Sequence, residues 1–413
     1  MESISVILSE YLLMIVSFLT LFIALFWIQV YLFRNKRDKL VVNKCPNVSI
    51  IVPAYNEESC IKETVDSLLS LDYSKDKLKI IVVNDGSTDN TSNIVRAYQS
   101  KQVILIDKKN SGKAASINAA LNKVESEFFG IVDADSIVNK DSLNNMMHLF
   151  DNGNIGAVIS LTKVKNPTTI FEKMQHLEYI FSAFSRKLMS NVDTLFITPG
   201  VLTIFRTDVV KKLGCFDENN LTEDLEIAMK LRYNGYNIKI ATNSITYTSV
   251  PNNFKSLWNQ RIRWFRGYLY NTNKYRNLFF SKKHGFFGLF QVPLNFLTVF
   301  LVILIFILAS YEILRLFYNF ILKLISYKLD IIYSYKLPTL KELIFKLDLK
   351  IIFPMIISLI LAFYIYNKAH KFANEKWKFP IALILYITIY PSLRVAHWLA
   401  ALTKEIIGSK KKW

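Results

Sequence analysis

Cysteine is scarce in this chain. Cys45, Cys60 and Cys215 are the three present, and none stands at metal-ligand spacing from another. That argues against a disulfide framework and for reduced thiols in a cytosolic region. The five histidines are scattered, with no two at i, i+4, so a paired-histidine zinc site is not expected. There is no internal repeat and no low-complexity segment. Acidic residues are the minority charge: 33 Asp and Glu against 51 Lys and Arg leave a formal net charge of +18. Such a surplus can serve nucleic acid, but no nucleic-acid motif accompanies it. Much of the Lys and Arg instead flanks apolar segments, which favours membrane orientation and contact with anionic lipid heads.

What the chain has in abundance is apolar sequence, unevenly spread. Of 413 residues 52% are hydrophobic, concentrated near the N-terminus and after residue 285. Tyr11 to Phe33 is almost uncharged and long enough to cross a bilayer as a helix. Glu2 and Glu10 precede it, and Arg34, Lys36, Arg37 and Lys39 follow. A secretory signal would carry basic residues first, so this reads as a retained span with its basic flank in the cytosol. Gly285 to Ser310 is a second span, with Pro293 inside it. Tyr311 to Lys350 is interrupted by Glu312, Arg315, Lys323, Lys328, Asp330 and Lys336, and reads either as a tilted span plus a loop or as interfacial helices. Ile351 to Tyr366 is a further span; Lys368 to Lys378 is a basic link; Phe379 to Leu402 is the last apolar stretch. Arg394 and His397 within it mark either a pathway or a snorkelling side chain. Lys410, Lys411 and Lys412 prefer the cytosol, which four C-terminal spans satisfy and three do not. The domain reading is thus a transmembrane helix over 1–40, a cytosolic catalytic domain over 41–249, amphipathic interface helices over 250–284 and transmembrane helices over 285–413.

Residues 47 to about 245 alternate strand and helix patterns. Val48 to Val52 is a β-rich run stopped by Pro53; Glu58 to Ser70 has helical spacing; Lys79 to Val83 is a second strand, ending in Asn84-Asp85-Gly86. Ser87 to Asn90 starts a helix, Gln102 to Ile106 is a third strand, Ala114 to Val124 a helix, and a fourth strand ends at Asp133. Continuous apolar strands alternating with helices imply a mainly parallel sheet covered on both faces, with ligands at the carboxyl ends of the strands. Residues 171 to 190 are helical and aromatic, and either pack on this sheet or lie along the membrane. Val250 to Phe280 is basic and aromatic together, as an amphipathic helix at a lipid interface is.

The chemistry concentrates where two strands end in acid. Ile131-Val132 runs into Asp133-Ala134-Asp135, and the second strand runs into Asp85. Two like charges that close to a core raise each other's pKa unless a cation joins them. Mg²⁺ or Mn²⁺ fits, because each takes oxygen ligands and leaves room for phosphate oxygens. Pro53-Ala54-Tyr55-Asn56-Glu57 follows the first strand. Ser111-Gly112-Lys113 opens a helix but is no NTPase phosphate loop, since Asp107 and Ala114 stand where that motif needs Gly and Ser or Thr. A lysine at a helix start still suits an anion. Thr222-Glu223-Asp224 precedes a helical segment, where Asp224 serves either the helix dipole or catalysis. Gln260-Arg261-Ile262-Arg263-Trp264 lies shortly before the membrane block.

Taken in this order, Asp85-Gly86-Ser87, Asp133-Ala134-Asp135, Thr222-Glu223-Asp224 and Gln260 to Trp264 strongly resemble the processive, membrane-embedded family-two glycosyltransferases: cellulose, chitin, hyaluronan and poly-N-acetylglucosamine synthases. The resemblance covers residues 47 to 270 by motif and the flanking spans by layout. It implies a GT-A fold, an α/β domain inserted between transmembrane helices. It also implies inverting transfer from a UDP-sugar, and assigns Tyr55, Glu57 and Asp85 to uracil and ribose. Lys113 and Asp133 would lie against the diphosphate, Asp135 would ligate the metal, and Asp224 would be the general base beside the substrate-binding Glu223. Gln260, Arg261, Arg263 and Trp264 would bind the diphosphate and the acceptor sugar at the mouth of a transmembrane channel. The Thr-Glu-Asp form and the short layout are nearest the poly-N-acetylglucosamine synthases, and no gating-loop signature of the cellulose synthase kind follows. The implied partners are UDP-N-acetylglucosamine, a growing polysaccharide or lipid-linked acceptor, the lipid bilayer of the plasma membrane and a small membrane subunit, with no nucleic acid. The competing enzymatic reading is transfer of one sugar to a polyprenyl phosphate or glycolipid.

Overall fold

Val, Ile and Leu fill both faces of the first strands, so those strands can only lie inside a layered sheet. In the computed structural model, which describes residues 4–33, 45–327 and 349–408, eight strands form that sheet in the order β3-β2-β1-β4-β7-β6-β8-β5. They are β1 (Val48–Ala54), β2 (Leu78–Asn84), β3 (Val103–Asp107), β4 (Phe128–Ile131), β5 (Ile137–Val138), β6 (Ile155–Val164), β7 (Thr203–Arg206) and β8 (Asn237–Thr248). The first four are parallel to one another. The sheet is mixed beyond them: β7 is antiparallel to both β4 and β6, β8 is parallel to β6, and β5 is antiparallel to β8. Glu2, the basic flank Arg34 to Lys39, Lys328, Asp330, Lys336 and the Lys410 to Lys412 tail fall outside the described residues.

The pleat sends alternate residues to opposite cores. Ile50, Val52, Ile80 and Val82 pack with Ile61, Val65 and Leu68 of α2 (Ile61–Leu69). Ile51, Ile81 and Val83 pack with Ile117 and Leu121 of α4 (Lys113–Leu121), the helix that follows the short α3 (Thr91–Arg96). Pro53 does not stop the first strand, and the reason lies in the ladder. The Ile51 carbonyl points toward β4 and accepts from Val132 N at 3.0 Å. Pro53, two residues on, also points that way, but the β4 pairing ends at Ile131. No donor is missed where proline has none to give.

After α5 (Ser142–Met147) and β6 comes α6 (Ile170–Asn191), capped by Thr169 and Glu172, whose side chains each bond the other's backbone N–H. It packs on β6 and β8 and buries Leu177, Ile180, Phe184 and Leu188. Of the two readings for this segment, the sheet wins. Next come α7 (Thr207–Lys212), α8 (Glu223–Tyr233) and α9 (Phe254–Lys274). One face of α9 is buried against protein at Leu257, Arg261, Ile262, Arg266 and Gly267. Gly267 marks the closest approach: a Cβ there would lie 2.2 Å from Thr222 Oγ1.

The chain separates into two compact units. One holds the described parts of Met1–Phe33 and Leu294–Lys368; the other holds those of Arg34–Pro293 and Ala369–Trp413, and with them the whole sheet. Three helical segments among the described residues are long and apolar enough to cross a membrane: Tyr11–Leu32, Phe287–Ser326 and Ile352–Phe372. They belong to α1 (Ile4–Leu32), to α10 (Val292–Tyr327) with the π-turn before it, and to α11 (Leu349–Phe372). Pro293 stands directly after the π-turn Phe287–Gln291, inside the continuous helical segment Phe287–Ser326. α10 runs on past Tyr311 to Tyr327, with Glu312 and Arg315 paired at 2.7 Å on it; residues 328–348 of the Tyr311 to Lys350 stretch lie outside the described residues. A fourth candidate is the pair α12 (Pro380–Thr388) and α13 (Tyr390–Ile406), bent by 48°.

Candidate active site

The register Ala54↔Asn84 brings the ends of β1 and β2 level, and β3 and β4 close beside them. Four loops therefore meet at one edge of the sheet. Residues 56–58 and 87–91 are stitched together. Asn56 N donates to Ser87 Oγ at 3.0 Å, Thr88 N to Asn56 Oδ1 at 2.8 Å, Glu57 N to Thr91 Oγ1 at 2.8 Å and Asn90 N to Glu58 Oε2 at 2.9 Å. Tyr55 stands at this edge with its ring half exposed. Asp85 is 4% exposed and its carboxylate joins the end of β2 to the 108–112 loop. It accepts from Lys108 Nζ at 2.5 Å, Ser111 N at 3.0 Å and Gly112 N at 2.8 Å. It therefore shapes the loop that delivers Lys113.

Lys113 is the hub. Its Nζ lies 2.6 Å from Asp133 and 3.0 Å from Glu223. Burial alone would lower its pKa, but Asp133, Glu223 and Asp224 together hold it above the usual lysine range. The segment Thr198-Pro199-Gly200 closes this cluster. Gly200 O accepts from Asp133 N at 2.9 Å, and Thr198 Oγ1 donates to the Asp224 carbonyl at 2.6 Å. A Cβ on Gly200 would sit 2.6 Å from Lys113 Nζ and 2.7 Å from Asp133 Oδ1. Only a residue with no side chain leaves that ion pair room.

Asp224, in the first turn of α8, is pushed up to about 6, by burial first and then by Glu223, while Lys113 and Arg263 pull it back. Its Oδ1 accepts from Leu225 N at 2.8 Å. A small cavity beside it is lined by Ile117, Thr198, Gly200, Phe216 and Glu223. Asp135 is also pushed up to about 6, by burial and then by the Asp133 and Glu57 charges. Glu57 is raised by burial, against a hydrogen bond of 2.9 Å from the Cys60 thiol. Glu57, Asp133 and Asp135 thus lie within electrostatic reach of one another. Among the described residues no three or more His, Cys, Asp or Glu gather as a complete metal cage. Asp135, with Asp133 near, offers oxygen donors of the kind that would hold a hard divalent ion.

The Gln260–Trp264 segment divides its residues. Positions 261 and 263 point about 200° apart on a helix. Arg263 lies within electrostatic reach of Asp224. Arg261 faces the other way: it is 3% exposed and donates to Glu178 Oε2 at 2.6 Å. Its guanidinium carbon lies 4.2 Å from the centroid of the Trp264 ring. Gln260 Oε1 and Arg261 Nε are buried with no hydrogen-bond partner. The motifs also left out Thr198, Gly200, Glu178 and Arg186. Arg186 on α6 faces Asp224, and burial lowers its pKa. Thr-Pro-Gly before an apolar run was a usable signal for the 198–200 turn; nothing local marked Glu178 or Arg186.

Comparison with known proteins gives a consistent family. Residues 46–267 match the glycosyltransferase-like family 2 domain. The poly-beta-1,6-N-acetyl-D-glucosamine synthase of Staphylococcus aureus (strain COL) is 30% identical over 267 residues, covering 60% of this chain and 64% of that protein. The synthase of the same name from Staphylococcus epidermidis aligns equally, at 30% over 267 residues, 60% of this chain and 64% of its own. The chain thus spans just under two thirds of these relatives' length. Among solved structures, a mannosyltransferase from Pyrobaculum calidifontis, in complex with GDP-Man and Mn²⁺, superposes with a TM-score of 0.64. It is 20% identical and covers 96% of this chain and 100% of its own, which makes the likeness one of fold, GT-A. With strand-end carboxylates, a lysine hub and an acidic helix start inside the matched region, this chain belongs to the family-two glycosyltransferases.

Proposed function

We propose that this glycosyltransferase is an inverting, metal-dependent hexosyltransferase that takes a UDP-sugar, UDP-N-acetylglucosamine, and extends a β-linked polysaccharide at the cytosolic face of the plasma membrane, passing the product through its own spans. The observation that carries the reading is the convergence of Asp224, Glu223, Lys113 and Asp133 in one cluster. The names of the Staphylococcus relatives support the sugar, and the candidate spans support the membrane setting.

In this reading Tyr55 and Glu57 face the nucleoside, and Lys113 meets the diphosphate after yielding part of its hold on Asp133 and Glu223. Asp224 takes the proton from the acceptor hydroxyl as that oxygen attacks the anomeric carbon from the side opposite the leaving UDP. A base whose pKa is lifted toward neutrality accepts that proton more readily than an ordinary carboxylate. Lys113 and Arg263 supply positive charge where the departing diphosphate gains negative charge. Asp135, with Asp133, would hold Mg²⁺ or Mn²⁺, which when bound neutralises phosphate charge as a Lewis acid. Trp264 offers an apolar face for a sugar acceptor.

The test is UDP release by purified protein from UDP-N-acetylglucosamine with Mn²⁺ or Mg²⁺, followed by mass analysis. A ladder of products is the expected result. A single-sugar adduct on a lipid would replace polymer extension by single transfer, and release unaffected by chelator would remove the metal.

A further inference from the structure

Glu178, Arg261 and Tyr390 stand on three separate elements, α6, α9 and α13, and meet at one buried point. Arg261 Nη2 donates to Glu178 Oε2 at 2.6 Å and to Gln175 Oε1 at 3.4 Å. Tyr390 Oη donates to the same Glu178 oxygen at 2.8 Å. Arg261 is 3% exposed, and Glu178 is the carboxylate it pairs with among the described residues. A guanidinium buried that far needs a paired anion, since an uncompensated buried charge is strongly unfavourable. Glu178 therefore allows Arg261 to lie where it does, and Arg261 covers Trp264 at 4.2 Å. With one face of the indole occupied by the cation, only the other is left for a ligand.

We propose that Glu178 is a positioning residue: through Arg261 it fixes the plane of the Trp264 ring, and so decides how a sugar acceptor is seated. Tyr390 ties that setting to the C-terminal helix pair, giving the last apolar segment a direct line to the acceptor platform. This role rests on the reading of Trp264 as that platform. It assigns Arg261 to the acceptor side and away from the nucleotide.

The experiment uses the full-length protein with Glu178→Gln, which keeps the shape and one acceptor oxygen, and Tyr390→Phe, which removes only a hydroxyl. UDP release is measured with UDP-N-acetylglucosamine as donor and a soluble β-linked N-acetylglucosamine oligomer as acceptor. Loss of a buried charge-assisted partner predicts an acceptor KM raised about tenfold in Glu178→Gln and about threefold in Tyr390→Phe, with donor KM unchanged. Unchanged acceptor KM in both folded variants, or a donor KM that rises in step, overturns the role. Adding Glu178→Gln to Trp264→Ala should raise acceptor KM no further, and additive losses also overturn it. Wild-type protein that transfers to no sugar acceptor would remove the platform reading instead. The coupling of Glu178 to Trp264 is then read from the same double-mutant cycle in melting temperature, where non-additive losses uphold it and additive ones end it.

Discussion

Lys113 and Glu223 meet at 3.0 Å, although one opens α4 and the other opens α8. The same ammonium also holds Asp133 at 2.6 Å, so a single cation joins a helix start, a strand end and the acidic turn beside Asp224. The lysine offsets carboxylates that would otherwise repel. In the proposed mechanism a diphosphate would compete for that lysine, so the residue that stabilises this cluster is also the one that would stabilise the leaving group.

Lys113→Gln should separate these two duties. The expected fall in kcat/KM is about 10² to 10³, the usual cost of removing one preorganised charge from a transition state. Glu223, with 5% of its side chain exposed, would lose the lysine that offsets it, so the melting temperature should fall as well. Steady-state rates and a thermal melt check both. Full activity in Lys113→Gln would show that the lysine serves only the fold.

The pH dependence of the rate follows from Asp224. With its carboxyl lifted to about 6, Asp224, the base of the proposed mechanism, is half ionised there and almost fully ionised by pH 8. The rate should therefore climb through pH 6 and level off toward pH 8. Asp224→Asn should lower the rate by about 10² to 10⁴ and leave UDP affinity nearly intact, because only proton transfer is lost. Calorimetric titration with UDP, set against UDP release, checks the pair. An Asp224→Asn protein that keeps most of its rate places the base elsewhere.

The same shift has a stability consequence of opposite sign to that of a salt-bridged aspartate. A carboxyl that titrates higher in the folded protein than its ordinary value of 3.8 holds its proton more tightly when folded. Its contribution is present below about pH 4 and is lost as pH rises through about 6. Asp224→Asn removes the buried charge, so the ligand-free variant should melt higher than the wild type at pH 7.5. That advantage should shrink on going to pH 4.5. Parallel melts across this range are the measurement, and a constant difference would mean that the carboxyl is not strained by burial.

Much of this arrangement was legible in the residues themselves. The strands ending at Asp85 and near Asp133 announced a sheet with an acidic edge, because aliphatic runs that stop at a carboxylate leave few other geometries. The helix start at Glu223 and Asp224 and the role of Lys113 as a cation at a helix start were equally local. What spacing did not reveal was partnership. Asp85 accepts from three donors of the 108–112 loop, Lys108 Nζ and two backbone N–H groups, and no local pattern marks that pairing. Arg261 and Arg263 look equivalent in one dimension, yet the helix sends them to opposite sides, and Glu178 takes the first. Pro53 looked like a stop because its neighbour across the sheet, and the point where that neighbour ends, are set by tertiary pairing.

Gly267 gives a test of how α9 is seated against the acidic turn. An added Cβ would lie 2.2 Å from Thr222 Oγ1, 2.4 Å from its Cγ2 and 2.8 Å from its Cβ. Thr222 is short, branched and 5% exposed, and Asn271 Nδ2 donates to its hydroxyl at 3.1 Å, so it has nowhere to turn. Gly267→Ala must therefore push α9 away from α8. The expected loss is about 1–3 kcal/mol of stability, the usual cost of overpacking. Arg263 and Trp264 ride on the same helix, so the acceptor side should loosen with it and UDP release should fall. Thr222→Ala removes the two closest contacts but leaves the one at 2.8 Å, so the double variant should recover part of both losses. Chemical denaturation together with rate measurements on the four proteins of this cycle decides it. Wild-type stability in Gly267→Ala, or no recovery in the double variant, would mean that the two helices are not held at this distance by the missing side chain.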